Sequence, residues 1–175
     1  EMLRSLVGSE MCIRDREDSF LITRCVRYDI KGRKYIDTPQ KYYFEDLGLR
    51  NARIGFRQVE ETHLMENLIY NELRIRGYLV DVGVVPTRVK DADGAYRRSQ
   101  LEVDFVCNRG SERVYVQSAY RLPTEEKRKQ EMASLLKIDD SFRKIIITED
   151  LIKRHMDENG VEWVNVYDFL KSEEL

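Results

Sequence analysis

Gln100-Leu101-Glu102-Val103-Asp104-Phe105-Val106 and Val114-Tyr115-Val116-Gln117-Ser118-Ala119-Tyr120 are the two stretches that decide how this chain folds. Both are rich in β-branched and aromatic residues, and both alternate with the period of two that marks strands. The turn around Asn108-Arg109-Gly110 is all that separates them, so the strands are expected to be adjacent and antiparallel. Strict alternation puts Glu102 and Asp104 on one face of the first strand and Val103 and Phe105 on the other. On the second strand Tyr115, Gln117 and Ala119 share a face.

Upstream, the pattern changes period. Across 58–76, Leu64, Met65, Leu68, Ile69, Leu73 and Ile75 cover about half of a helical wheel, and Gly77 supplies a stop. That helix is expected to pack across the same sheet. Glu72 falls inside its apolar arc and Glu66 at the edge. A carboxylate on a buried face needs a partner, for which an arginine, a lysine or a backbone amide is a better reading than a metal at Glu72. Residues 20–45 read as a hairpin or meander, with turn chemistry at Asp29 and Gly32, and the Gly48- and Gly55-punctuated segment after them reads as a connection.

YLVDVGVV precedes the first quoted strand through a hairpin at Asp93-Gly94. Downstream, Thr124 is placed to cap a helix through Lys137, with Glu125 and Glu126 in its first turn. KIIIT is a short strand of the buried kind, residues 151–158 read as helix, VEWVNV as a last strand and YDFLKSEEL as a terminal helical turn. The order after residue 58 is α-β-β-β-α-β-α-β-α, an α/β layered domain behind a β-rich hairpin.

Composition narrows the classes. A 42% hydrophobic fraction suffices for a sizeable core, and 35% charged residues indicate a soluble surface. No apolar run approaches the ~18 residues that span a bilayer, so no membrane partner is expected and the cytoplasm is the expected compartment. Cys25, Cys107, His63 and His155 lack ligand spacing for zinc, and both cysteines sit in strand-like runs as buried thiols. Without a GxxxxGK[ST] motif the 175 residues have no phosphate-binding loop, and no cofactor is expected in this chain.

The run SLVGSEMCIRDR, residues 5–16, resembles the translation of a transposon-type sequencing adapter; a natural extension with a Gly-Ser turn is the plainer alternative. On the adapter reading residues 1–16 are non-native and the protein is a fragment that begins inside a folded element. Residues 17–58 then carry nine Lys/Arg against six Asp/Glu, a net +3, and residues 59–175 a net −5.

Glu66, the Glu102/Asp104 pair and Gln117 could together offer oxygen ligands to a hard divalent ion such as magnesium, although from composition alone an edge strand with a solvated acidic face is the favoured reading. RYDIKGRKYIDTPQKYYFEDLGLRNAR and MENLIYNELRIRGY, supported by LEVDFVCNRGSERVYVQSAY, resemble the C-terminal region of predicted bacterial and archaeal AAA-type ATPases that carry a widespread domain of unknown function. The resemblance implies a winged-helix remnant at 17–50 and a restriction-endonuclease-like domain at 51–175, with a mixed sheet flanked by helices. It implies a missing N-terminal ATPase domain as partner, ATP bound only there, and DNA or a protein as a further partner. It also places Glu66, Asp104 and Gln117 at the catalytic positions of a nuclease-type motif, with Glu66 and Asp104 as magnesium ligands.

The motif's second acid is here Gln117, a neutral amide, and its lysine is Ala119. Two-metal hydrolysis needs carboxylates to hold the ions and a cation near the attacked phosphate. The site therefore reads as degenerate. An active magnesium-dependent nuclease, with Arg121 as a displaced cation, is one alternative, and a purely structural or protein-interaction domain is the other.

Overall fold

The computed structural model describes residues 12–57, 60–90, 93–94, 96–173 and 175. The two quoted strands become β4 (Tyr96–Arg109) and β5 (Glu112–Ala119), paired antiparallel from Arg109↔Glu112 to Phe105↔Val116. On the other side β4 runs antiparallel to β3 (Leu79–Lys90), which in turn pairs parallel with β1 (Ile22–Asp29). β1 and β2 (Lys34–Phe44) form the expected hairpin, and β2 is an edge. Beyond β5 come β6 (Arg143–Thr148), β8 (Val161–Asn165) and the short β7 (His155–Met156), giving one mixed sheet in the order β2-β1-β3-β4-β5-β6-β8-β7. The hairpin assigned to a winged-helix remnant is thus continuous with the sheet of residues 79–165.

Helices cover both faces. α3 (Glu61–Ile75) lies on one, where Met65, Ile69, Tyr70 and Leu73 pack with Tyr43, Phe105 and Val116. Ile69 and Leu73 are wholly buried, each contributing about 2 kcal/mol of apolar burial. Its apolar arc is narrower at the end than the wheel implies, because Ile75 is 78% exposed and Tyr70 takes the buried position instead. Gly77, at φ +83°, ends the helix in the left-handed conformation that a glycine adopts without steric cost. α5 (Val166–Lys171) adds Val166 and Phe169 to the same layer. The opposite layer is α4 (Glu125–Met132) and a single 3-10 turn at Leu135–Lys137, whose Met132 and Leu135 meet Val103, Tyr115 and Ile146. Thr124 caps α4 by accepting from the Lys127 amide, as its sequence indicates, but the helix stops at Met132 and does not reach Lys137.

Three local readings change. The Gly48 segment contains a helix, α2 (Leu47–Arg53), because Asp46 caps it by accepting from the Leu49 amide. Residues 151–158 are not helical. Asp157 Oδ1 accepts from the amides of Asn159 and Val161, and this turn folds β7 back antiparallel on β8. Finally, β4 does not alternate strictly. Between its partners for Asp81 and Gly83 it takes three steps, Val106 to Val103, against two in β3. The extra residue is a bulge, which turns Val103 and Phe105 into opposite apolar layers.

A helix at 12–18, α1, precedes β1. Cys12 is exposed, Ile13 is half-buried, and among the described residues the first of the buried core is Ile22. Leu3, and Leu6 of the adapter-like segment, lie outside the described residues. Among the described residues no helix is long and apolar enough to cross a membrane.

Candidate functional site

The bulge in β4 creates the site. The backbone ladder between β4 and β5 ends at Phe105↔Val116, and past that point the strands splay. Two side chains replace the missing ladder bonds. Asp104 Oδ2 accepts from the Ser118 amide at 2.8 Å, and Gln117 Oε1 accepts from the Asp104 amide at 3.3 Å. Gln117 therefore holds the splay closed with its carbonyl oxygen, and its amide reaches Glu131 of α4 only at 3.5 Å. A glutamate there would bring a second charge against Glu131 unless Lys127, at 2.6 Å from Glu131, served both.

α3 brings Glu66 to the same place, and the feature hidden from the sequence arrives from β2. Lys41 projects its ammonium among three carboxylates: 2.6 Å from Glu102 Oε1, 2.9 Å from Glu66 Oε1 and 3.7 Å from Asp104 Oδ1. Tyr43, two residues along and so on the same face, donates to Glu66 Oε1 at 2.6 Å. Arg27 of β1 closes the cluster on Glu102 Oε2 at 2.6 Å. The signal available in the sequence was the parity of Lys41 with Tyr43, a lysine sharing a strand face with a core aromatic residue.

Burial sets the electrostatics. Asp104 is pushed up to about 7, first by desolvation and then by the facing charge of Glu66, with Lys41 and the Ser118 amide working against the rise. Burial also opposes the charge on Lys41. The Glu66 and Asp104 carboxylates and the hydrogen bonds to Glu102 and Glu66 outweigh it, so the ammonium holds its proton above the ordinary lysine range. Glu102 feels the same desolvation, but Lys41 and Arg27 hold it below the usual carboxylate range. Burial and Glu66 push the Tyr43 hydroxyl far up, leaving it a donor at all physiological pH.

Of the sequence-derived site residues, the fold brings Glu66, Asp104 and Glu102 together around one cation and sets Gln117 beside Asp104. Arg121 instead pairs with Glu149 at 3.2 Å and lies over the Tyr120 ring, and it lines a cavity shared with Ser118 and Glu131. Ala119 is 2% exposed in the apolar layer with Tyr115, Leu122 and Met132. Glu72 has its arginine, Arg76, at 2.8 Å one turn along. The carboxylates do not fit a magnesium ion in this arrangement, because the Lys41 ammonium stands between them, within hydrogen-bond reach of Glu102 and Glu66 and 3.7 Å from Asp104. Among the described residues no group of three His, Cys, Asp or Glu side chains converges as metal ligands. Two open cavities flank the cluster. One, of about 330 Å³, is lined by Lys41, Tyr43, Arg50, His63 and Glu66. The other, of about 410 Å³, is lined by Thr62, Ser118, Tyr120, Lys127 and Glu131, and Ser118 Oγ there is buried without a protein hydrogen-bond partner.

Comparison with known proteins adds one relative. An uncharacterized protein of Haemophilus influenzae is 33% identical over 154 residues, which cover 88% of this chain and 34% of that protein. The chain thus spans about a third of the length of the relative it matches. No family model matches the sequence, and no solved structure gives a significant match.

Proposed function

We propose that this chain is an accessory C-terminal domain of an AAA-family ATP-binding protein, nuclease-like in plan and catalytically degenerate, and that it engages nucleic acid or a protein partner. One observation carries the degenerate reading: the position at which Glu66 and Asp104 would share a divalent ion is taken by the ammonium of Lys41, at 2.9 and 3.7 Å. An ammonium neutralises carboxylates but supplies no water of lowered pKa and no Lewis acid. With Ala119 buried among apolar residues, no lysine stands at the motif position to stabilise charge at phosphorus. The length of the Haemophilus protein relative to the matched region is in keeping with a domain that belongs to something larger.

Calorimetric titration with Mg²⁺ and Mn²⁺, alongside cleavage assays on single- and double-stranded DNA and RNA, tests this. The wild-type chain is expected to bind neither ion at millimolar concentration and to cut nothing. Lys41→Ala, combined with Gln117→Glu, is expected to create metal binding. Metal-dependent cleavage by the wild-type chain that disappears in Asp104→Asn would overturn the reading and make Lys41 the displaced catalytic cation.

A further inference from the structure

The longest strands of the sheet, β3 and β4, outrun their neighbours. β1 pairs with β3 at Val82, Gly83 and Val84 alone, and β5 reaches β4 no further than Phe105. From Val85↔Leu101 to Lys90↔Tyr96 the two strands have only each other. They form a two-stranded ribbon that extends beyond the sheet by five residue steps, roughly 17 Å at the usual rise. Such a ribbon is marginal by itself.

Its charges are arranged against its own stability. Arg88 lies directly opposite Arg98, and like charges opposite one another repel across a strand pair. Arg97 is exposed beside them. Lys31, from the β1–β2 turn, and Lys137, from the 3-10 turn, complete an open cavity of about 660 Å³ with Arg88, Arg98, Thr87 and Ser99. Among the described residues the cavity lining contains four cations and no carboxylate. Among the described residues none of Lys31, Arg88, Arg97, Arg98 or Lys137 takes part in an ion pair, although the chain as a whole is acidic, with net charge −2. Tyr96 and Val89, at 72% and 54% exposure, put an aromatic ring and an aliphatic side chain on the same arm.

We propose that this ribbon is a docking arm for the phosphodiester backbone of a nucleic acid duplex. Uncompensated arginines and lysines beside hydroxyl donors are the groups that contact phosphates. A two-stranded ribbon has the width that a major groove admits. An acidic protein surface would satisfy the charges too, but it would need apolar contact area around them; the cavity lining offers only Pro86 and aliphatic stems, and the exposed Tyr96 and Val89 lie outside that lining. The arm deepens the accessory-domain reading by naming the partner, and it lies apart from the Lys41 cluster.

Fluorescence anisotropy with a labelled mixed-sequence DNA duplex, using the full chain across a salt series, tests the proposal. Log affinity is expected to fall linearly with log salt, and Arg88→Ala with Arg98→Ala is expected to make the slope shallower by about 1.8, at roughly 0.9 per phosphate contact. At low salt the double variant should bind roughly tenfold more weakly, uniformly across sequences. Lys171→Ala, removing an exposed cation on α5, should bind as wild type does. The thermal midpoint of the double variant should be unchanged or raised, since a repulsion has been removed, so weakened binding cannot be ascribed to unfolding. The proposal is overturned by a wild-type chain without salt-dependent binding, by a double variant with wild-type affinity and slope, or by displacement of the duplex by polyglutamate at equal charge concentration, which would assign the arm to an acidic protein. Metal-dependent cleavage would remove the degenerate-site reading and leave the arm standing, and lack of binding would do the reverse.

Discussion

At one place on the sheet charges answer one another, and at another they do not. Around Lys41, two cations and three carboxylates sit within 4 Å of a partner, mostly shielded from solvent. On the β3–β4 ribbon Arg88 and Arg98 face each other in the open, and among the described residues the cavity they line has no carboxylate. Desolvation accounts for the contrast. Buried ions that lack partners cost several kcal/mol, so the fold has to pair them. Exposed like charges cost a few tenths of a kcal/mol and are tolerated. A closed cluster is therefore a poor place to look for a ligand, and an open one a good place.

The largest test of this contrast removes the cation at the centre of the closed region. Lys41→Met leaves Glu66 and Asp104 buried around an apolar side chain and should lower unfolding stability at pH 7.5 by about 3 kcal/mol, the lower end of the range for breaking a buried pair because the lysine is partly exposed. Urea denaturation reads it, and a loss under about 1 kcal/mol would mean that the carboxylates were not held by Lys41.

The next effect is one of pH. Asp104, at about 7 in the fold, titrates near 3.9 when unfolded. Between those values the folded state binds a proton that the unfolded state does not. Its contribution therefore falls as pH rises from about 4 to about 7 and is level above that. Asp104→Asn keeps an acceptor for the Ser118 amide and should flatten this slope. A tenfold difference in proton affinity between the two states is worth about 1.4 kcal/mol, so even a third of that is measurable. Glu102, held low, acts with the opposite sign, losing its contribution only in more acidic solution as it protonates. An identical slope in both proteins between pH 5 and 8 would refute the account of Asp104.

On the ribbon, Arg88→Thr relieves the repulsion with Arg98 and should raise stability by about 0.3 kcal/mol, or leave it level. A loss above about 1 kcal/mol would show that Arg88 has a structural partner after all. Smallest of all is deletion of residues 1–16. Among the described residues core burial begins at Ile22, so the thermal midpoint should move by less than ~2 °C, the shift that under 1 kcal/mol produces in a chain of this size. A larger drop would show that the adapter-like segment is part of the folded unit.

Much of the fold could be read from periodicity. The antiparallel β4–β5 pair, the stop at Gly77, the Thr124 cap and the arginine at Glu72 all follow from residues within a turn or a pleat of each other. Readings failed where a single side chain overruled the local pattern. Asp46 made a helix of a glycine-punctuated stretch by capping it. Asp157 folded an apparent helix into a hairpin by binding two amides. Of the cluster, Glu66, Glu102 and Asp104 were legible from the edge of a helical arc and from strand parity, but Lys41, Tyr43, Arg27 and Glu131 were not, since they come from elements that only the folded sheet brings together.

By itself the sequence determined most of the strands and the long helix with its buried face, because hydrophobic periodicity acts over a few residues and needs no partner to be read. It also determined that an amide and a methyl group, Gln117 and Ala119, share one face of their strand. Only the tertiary structure decided what they do there. The bulge in β4 depends on how β3 and β5 together fit Val103 and Phe105 into opposite layers, and that splay turns Gln117 into a backbone substitute. Lys41 reaches Asp104 because β2 and β1 join the sheet on the side of β3, a choice made by strand order. The same order leaves the end of β3 and β4 without neighbours, and Arg88 and Arg98 meet there across a ladder that neither one's local sequence contains.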